Sequence, residues 1–345
     1  MALPFTLRQL EIFDAVIRTG SLSAAARDLH TAQSSVSSAI DELEKQVGQR
    51  LLVRRKAQGA WPTAAGRQLH REAGIVLHTA QEAGRILQER DGQLRGPLTI
   101  GVYQTLAPYV LPLLLGDFAE EHPLVELSFV EVQHAELMAG LTSGAIDVGF
   151  TYLHEVPAEV DHQPILERPP YVLMPASHPL ANRPSVTLAD LTGEKIILLG
   201  DAPSKANTLR DLDTTEDDER IAWVTSSLPL TRALVGKGLG VAILVQPDAS
   251  PWTVDGHPVV EVPLNVKDGN VFVHIAWLKP QARSRPPRRI TEMVTFAEAN
   301  FGPHIARIDE GRRLRKASDV ARGSDSWHTE LQLQRAASGP VKERP

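Results

Sequence analysis

Cysteine is absent from the 345-residue chain. Disulfides, thiolate catalysis, Cys-ligated zinc, iron–sulfur clusters and a disulfide-switched oxidant sensor are therefore excluded. No run of 18 apolar residues occurs, so no membrane span is expected. The first residues, MALPFTLRQLEIFDAV, lack a basic start and a small-residue cleavage site, and Arg8 and Glu11 interrupt the apolar pattern. They do not read as a signal peptide, and a cytoplasmic protein is expected. Catalytic motifs are missing too: there is no Gly-x-Ser-x-Gly, His-Glu-x-x-His or Walker loop. The 12 histidines are scattered without metal-ligand spacing, and His134-x-Glu136 alone is too little for zinc. The glycines of Gly236-Lys237-Gly238-Leu239-Gly240 read as a helix C-cap and a tight turn. No enzyme, no cofactor and no metal is expected.

What is present is an uneven charge distribution. Residues 1–92 carry 12 Lys/Arg against 10 Asp/Glu, residues 93–301 carry 15 against 26, and residues 302–345 carry 9 against 6. The acidic middle would be repelled by a polyanion, so any nucleic-acid contact has to come locally from the first segment.

That segment is patterned for helices. Leu7, Leu10, Phe13, Val16 and Ile17 recur at helical spacing, and Gly20 supplies a stop. Ser21 or Ser23 can cap a short second helix around Ala24-Ala25-Ala26. His30-Thr31-Ala32 is a turn, and a third helix runs from about Gln33 to Val47 with Val36, Ile40, Leu43 and Val47 on one face. Gly48 ends it. Arg50–Arg55 then reads as a strand, Lys56–Gly59 as a turn and Ala60-Trp61 as a returning strand. Two short helices, a three-residue turn and a hairpin make a winged helix-turn-helix over residues 1–62. A helix has the width of a major groove, and side chains at its start reach base edges. Gln33 is the first candidate, because a Gln amide bonds adenine bidentately. Ser34, Ser37 and Ser38 follow for bases or phosphates, and Arg54 and Arg55 for the DNA backbone. A solvated polar helix face would look the same.

Thr63 can cap a long helix over residues 63–92, about 43 Å from Thr63 to Asp91 at 1.5 Å per residue. Leu69, Ala73, Val76, Ala80, Ala83 and Leu87 form a heptad seam. Its simplest partner is the same helix of a second chain; the alternative is packing on the chain's own globular part. Gly96-Pro97 marks a boundary.

From Leu98 onward strands and helices alternate. Strands at Leu98–Val102, Val125–Val132 and Ala145–Phe150 separate helices at Leu106–Ala119 and Glu136–Ser143, which implies a parallel α/β sheet. Arg168-Pro169-Pro170 is a crossover into a second unit, with strands at Tyr171–Met174, Lys195–Leu199, Ile221–Thr225 and Gly240–Leu244. A second crossover near Pro263–Asn270 leads to a strand at Val271–Trp277 and a helix at Ile290–Phe301. This divides residues 97–301 into subdomain I (97–167 and 271–301) and subdomain II (168–265) around a hinged cleft. Residues 302–345 read as a disordered tail. In the cleft, Gln104 and Thr105 begin the first helix of subdomain I and Thr225 and Ser226 precede a helix of subdomain II. Backbone N–H groups at two such helix starts would grip a small carboxylate or similar anion. The same Thr and Ser could instead only cap their helices. Phe150, Thr151, Asp201 and Gln246 follow strand ends and could line the same site, and Asp201 leaves the ligand's charge open.

Several strings carry a family resemblance. They are Leu7-Arg8-Gln9-Leu10, Gly20-Ser21-Leu22, Ala24-Ala25-Ala26, Gln33, Val36-Ser37, Leu43-Glu44, Arg50-Leu51-Leu52, Arg54-Arg55 and Thr63-Ala64-Ala65-Gly66. Gly144–Gly149, Pro175–Ala181 and Gly238–Leu244 add to them. Over about residues 5–301 the chain resembles LysR-type transcriptional regulators. The resemblance implies a periplasmic-binding-protein-like effector domain gated by a small molecule, double-stranded promoter DNA as a partner, and a homo-oligomer built as a dimer of dimers. Ala32 stands where the family usually has a capping Ser, a loss of about 1 kcal/mol. Ser38 stands at an often basic position, and the wing Lys56–Trp61 is less basic than usual. A cytoplasmic solute-binding protein without sequence-specific DNA binding is the competing reading.

Overall fold

The computed structural model describes residues 5–55, 59–86, 93–200, 202–248, 250–266, 269, 271–280 and 286–321. The chain begins with α1 (Leu7–Thr19), α2 (Leu22–Asp28) and α3 (Gln33–Val47). Thr6 and Gln9 close a capping box on α1, Ser21 caps α2, and Gly48 ends α3 at φ 70°. Phe13, Val16, Ala25, Val36, Ile40 and Leu43 are enclosed in one core, as the helical spacing requires. Strands β1 (Leu52–Arg55) and β2 (Gly59–Pro62) pair antiparallel as a wing. Glu44, one turn from the end of α3, accepts the Leu51 and Leu52 N–H groups at 2.7 and 2.9 Å. This fixes where the wing departs.

Helix α4 (Ala64–Ile86) starts at Thr63, whose Oγ1 accepts the Gly66 N–H. Leu87 and the rest of the expected helix end lie outside the described residues. His70 on α4 meets Asp14 on α1 at 2.9 Å and sets its ring edge against Phe13. Part of the alanine seam packs on the chain's own globular part. Ala73 is buried within its own chain, and a Cβ on Gly74 would stand 2.2 Å from the Ser143 carbonyl oxygen, so α4 lies directly on the end of α7 (His134–Ser143). Val76 on the same seam remains exposed.

The α/β region opens with β3 (Gly96–Tyr103), α5 (Ala107–Leu113), a π turn at Leu114–Phe118 and α6 (Ala119–Glu121). It continues with β4 (Val125–Val132), α7, β5 (Val148–Tyr152) and β6 (Val160–Arg168). The chain then forms β7 (Tyr171–Pro175), β8 (Val186–Thr187), a 3₁₀ turn at Leu188–Leu191, β9 (Ile196–Leu199), α8 (Ala202–Asp211), β10 (Ile221–Thr225), α9 (Leu228–Gly236), β11 (Ala242–Leu244) and β12 (Val259–Asn265). It ends with β13 (Val271–Leu278) and α10 (Arg288–Ala321).

Two compact units result, one of residues 1–168, 201–207 and 270–298, the other of residues 169–200, 208–269 and 299–345. In the first, the sheet order is β4-β3-β5-β13-β6, with β4, β3 and β5 parallel as the alternation predicts. β13 pairs antiparallel with both β5 and β6. Strand β6 is not predicted by the sequence pattern, because Pro164 interrupts it; on a sheet edge beside a register shift, proline is tolerated. A buried ion pair, Arg289 Nη2 to Asp147 Oδ1 at 3.0 Å, fastens the start of α10 to the sheet, and Asp147 Oδ2 accepts the Thr99 N–H. His274 on β13 packs edge-on against His162 on β6 at 5.1 Å, and burial pushes its imidazole down to about 4.

In the second unit the sheet is β11-β7-β12-β8, beside a parallel pair β9–β10. It is mixed: β7 pairs antiparallel with β11 and β12. Residues Pro263–Asn265, expected in a crossover, belong to β12. Pro263 sits where the β7 ladder ends, and Leu264 and Asn265 then pair with β8, so the missing N–H costs no ladder bond there. Residues 302–321, expected in a disordered tail, continue α10, with Ile305 buried four residues after buried Phe301.

Candidate nucleic-acid interface and effector-binding residues

The turn between α2 and α3 brings the chain around through His30, at φ 49°. Ala32 precedes α3 and makes no side-chain cap, so no side chain occupies the N–H groups of the first turn. Gln33, Ser34 and Ser38 are exposed, while Val36 and Ile40 face the core. Ser35 is exposed as well and is absent from the sequence-based candidates, because its spacing from Gln33 carries no distinguishing signal.

Two predicted residues have other engagements. Arg54, expected to reach for the DNA backbone, turns onto α3: Nη2 donates to Asp41 Oδ1 at 2.7 Å and Nη1 to Ser37 Oγ at 3.1 Å. Ser37 is thus half-buried under the guanidinium. Together with the Glu44 bonds, this contact fixes the wing's angle to α3. The Arg55 side chain lies outside what is described. Trp61 leaves 47% of its surface exposed on the wing.

The effector-binding candidates fall in both units. In the first, Gln104 and Thr105 form a turn after β3, and the Leu106 N–H bonds the Tyr103 carbonyl at 2.8 Å. Leu106, not Thr105, takes the cap position of α5, and it has no side-chain bond. Thr105 is buried, with its hydroxyl beside the Tyr152 phenol. Burial holds that phenol well above the usual tyrosine range. Tyr103 and Tyr152 meet edge to face at 5.8 Å, and the Tyr103 hydroxyl lies 3.3 Å from Ser204 Oγ. Buried Arg168 acts electrostatically on the same phenol.

Phe150 and Thr151 are fully enclosed in β5 and back this wall rather than facing solvent. Thr151 Oγ1 lies 3.2 Å from His134 Nδ1, and His134 Nε2 bonds the His154 carbonyl. Burial lowers the His134 pKa, so the neutral ring donates from Nε2 to that carbonyl, while the Thr151 hydroxyl beside Nδ1 donates to the Tyr152 carbonyl at 3.0 Å. Tyr103, His134 and Ser204 are missed by sequence reasoning as members of this wall. Glu136 of the His134-x-Glu136 string accepts the Gln133 N–H and completes a capping box, which accounts for the motif without a metal.

In the second unit Thr225 Oγ1 accepts the Ser227 N–H at 3.2 Å. Ser227, not Ser226, caps α9 by accepting the Leu230 N–H. Ser226 is exposed and Thr225 half-buried. Gln246 is buried, and its backbone carbonyl accepts the Tyr171 hydroxyl at 2.9 Å. Asp201 lies outside the described residues.

A winged helix-turn-helix with an uncapped, polar third helix, joined through a long helix to an α/β region, is the architecture of a DNA-reading protein. Residues 7–67 match the model for the bacterial regulatory helix-turn-helix protein, lysR family. Residues 91–297 match the LysR substrate binding domain. The chain belongs to the LysR family and is a LysR-type DNA-binding transcriptional regulator. It is 29% identical over 282 residues to the DNA-binding transcriptional dual regulator OxyR of Escherichia coli, covering 80% of this chain and 86% of that one. It is 33% identical over 247 residues to the Hca operon transcriptional activator HcaR of Escherichia coli, covering 69% and 81%. Among solved structures, a full-length OxyR variant from Pseudomonas aeruginosa aligns with a TM-score of 0.69 at 26% identity, over 86% of this chain and 98% of that one. HinK, a LysR family regulator from Pseudomonas aeruginosa, aligns at 0.55 and 32%, over 87% and 99%. The reading of a solute-binding protein without DNA recognition is set aside by the match of residues 7–67.

Proposed function

We propose that this regulator reads promoter DNA through the exposed start of α3. Gln33 meets base edges, with Ser34 and Ser38 beside it for bases or phosphates. Ser37 and Arg54 fix the wing against α3, and Arg55 is assigned a backbone contact. The observation that carries the reading is the polar first turn of α3, exposed and free of any side-chain cap. A gel shift on the chain's own upstream DNA, run through a salt series, tests it. Gln33→Ala is expected to lose about 1–3 kcal/mol of discrimination between specific and scrambled duplex while keeping the salt dependence. Unchanged discrimination in that variant sinks the assignment.

Regulation is assigned to a small anionic effector. Thr105 and Gln104 of the first unit, with buried Arg168 and the Tyr152 phenol nearby, support an acidic ligand. Thr225, Ser226 and Gln246 of the second unit supply further polar groups. The absence of cysteine supports reversible ligand binding over thiol chemistry, although several relatives are named hydrogen peroxide-inducible genes activators. A homo-oligomer, a dimer of dimers, acting in the cytoplasm completes the reading. Apolar side chains left exposed on edge strands support self-association: Phe129 and Val130 on β4, Trp223 and Val224 on β10.

A further inference from the structure

A pocket of about 540 Å³ opens in the second unit, lined by none of the residues assigned above to DNA or effector. Its apolar wall is Leu188 and Val266; its polar wall is Thr187, Asn265, Arg210 and Asp211. The volume suits a small organic molecule.

The polar wall is rich in acceptors. Asp211 is the last residue of α8, where the helix's partial negative charge disfavours a carboxylate. Its side chain is only 4% exposed. Arg210 donates to it from Nε at 3.0 Å and from Nη2 at 2.8 Å, and both bonds land on Oδ1. No described residue bonds Oδ2. Burial raises the Asp211 pKa despite Arg210, which is the response of a carboxylate short of partners. Asn265 gives one of its two amide N–H groups to Ser185 Oγ at 3.0 Å, and Thr187 gives its hydroxyl proton to Asp190 Oδ2 at 2.8 Å. Each is left with an oxygen lone pair to offer. The acidic stretch Asp213, Glu216, Asp217, Asp218 and Glu219 follows immediately in the chain. Arg210 is the single cation on the lining, and its pairing to Asp211 leaves that wall close to neutral.

We infer that this pocket is a second ligand site, specific for a primary amine carrying a small apolar body. The ammonium bonds Asp211 Oδ2, and the apolar body lies against Leu188 and Val266. An ammonium has three N–H donors and no acceptor, which matches the acceptor oxygens of Asp211, Asn265 and Thr187 on this wall. A carboxylate ligand is disfavoured by the same wall. The site is thus complementary in charge to the anionic one proposed above, and its existence does not depend on that reading.

Benzylamine is the probe, titrated calorimetrically into the full-length regulator, with benzyl alcohol and benzoate as isosteric controls. Benzylamine is expected to bind in about the millimolar range or tighter, as one charge-assisted bond and a small apolar burial support. Benzyl alcohol should bind at least about tenfold more weakly and benzoate not at all. Asp211→Asn should lower benzylamine affinity by about tenfold or more. Ala189→Trp, at an exposed position on the pocket lip, should block binding without touching the core. Thr105→Val should leave it unchanged. The inference is overturned if the wild-type chain binds no benzylamine at these concentrations, or if alcohol and amine bind alike. It is equally overturned if both Asp211→Asn and Ala189→Trp, folded by circular dichroism, retain full affinity. Loss of binding in Thr105→Val alone would move the amine to the effector residues and refute the second site.

Discussion

Arg54 separates two accounts of the wing, and a double-mutant cycle with Asp41 decides between them. If the guanidinium were a DNA-backbone contact, Arg54→Ala would remove one phosphate neutralisation. The slope of log K against log salt would then fall by about 0.9. Asp41→Ala would release the guanidinium and remove a negative charge near the DNA, so binding would tighten. In the structure the guanidinium is committed to Asp41 Oδ1 and Ser37 Oγ. Its side chain is 29% exposed and that of Asp41 61%, so solvent screening limits the pair to about 1 kcal/mol or less of stability. The expected result follows from that modest coupling. Both single variants bind promoter DNA more weakly, by up to about fivefold, because the wing is no longer held at one angle. The salt slope stays at its wild-type value in both. The double variant is no weaker than the worse single, as for two residues serving one contact. The assay is a fluorescence-anisotropy titration of labelled duplex at several salt concentrations. A slope lowered by about one in Arg54→Ala, together with tighter binding by Asp41→Ala, would falsify the staple.

Two predictions concern the fold behind the reading head. Arg289→Ala strands buried Asp147 and is expected to cost about 3–5 kcal/mol in denaturant unfolding. Arg289→Met with Asp147→Leu should restore much of it; a loss below about 1 kcal/mol in the single variant would show the pair to be dispensable. His274 gives a pH dependence. Its folded pKa, about 4, lies below the ordinary value of about 6.5, so the unfolded chain binds the extra proton. Stability is complete above about pH 6.5 and is lost progressively as pH falls toward 4, by about 3 kcal/mol in all. His274→Gln should flatten that decline in a pH series of urea melts. An identical decline in the variant would place the effect elsewhere.

The helix-turn-helix was legible because its signals are local. Helical spacing put Phe13, Val16, Val36, Ile40 and Leu43 inside, and a capping serine and a stop glycine gave the ends of α2 and α3. The parallel pairing of β3, β4 and β5 was legible from the alternation of strands and helices. The strands that went unread are β6, β8 and β12; β8 has two residues, and the other two contain proline. In a sequence proline argues against a strand, and only sheet position removes the argument: Pro164 is on an edge, and Pro263 is where one ladder ends and another begins.

The site followed the same division. Residue types and their places on α3 could be read from spacing, since exposure of Gln33, Ser34 and Ser38 follows from burial of Val36 and Ile40. The partners of those residues could not. Arg54 finds Asp41 thirteen residues back, Glu44 reaches forward to Leu51 and Leu52, and His134 closes on Thr151 seventeen residues on. Each joins elements whose separation in the chain carries no period, so no repeat announces it. The misplaced caps show the converse. Thr105 and Ser226 have the chemistry of a cap, yet the cap positions are Leu106 and Ser227, one residue later. A one-residue shift turns a side chain by about 100° around a helix of 3.6 residues per turn. It therefore decides whether a hydroxyl closes the helix end or stands away from it. For Thr105 the result is a buried hydroxyl turned to Tyr152 rather than to the backbone, which is why a residue chosen as a cap is better understood as part of a wall.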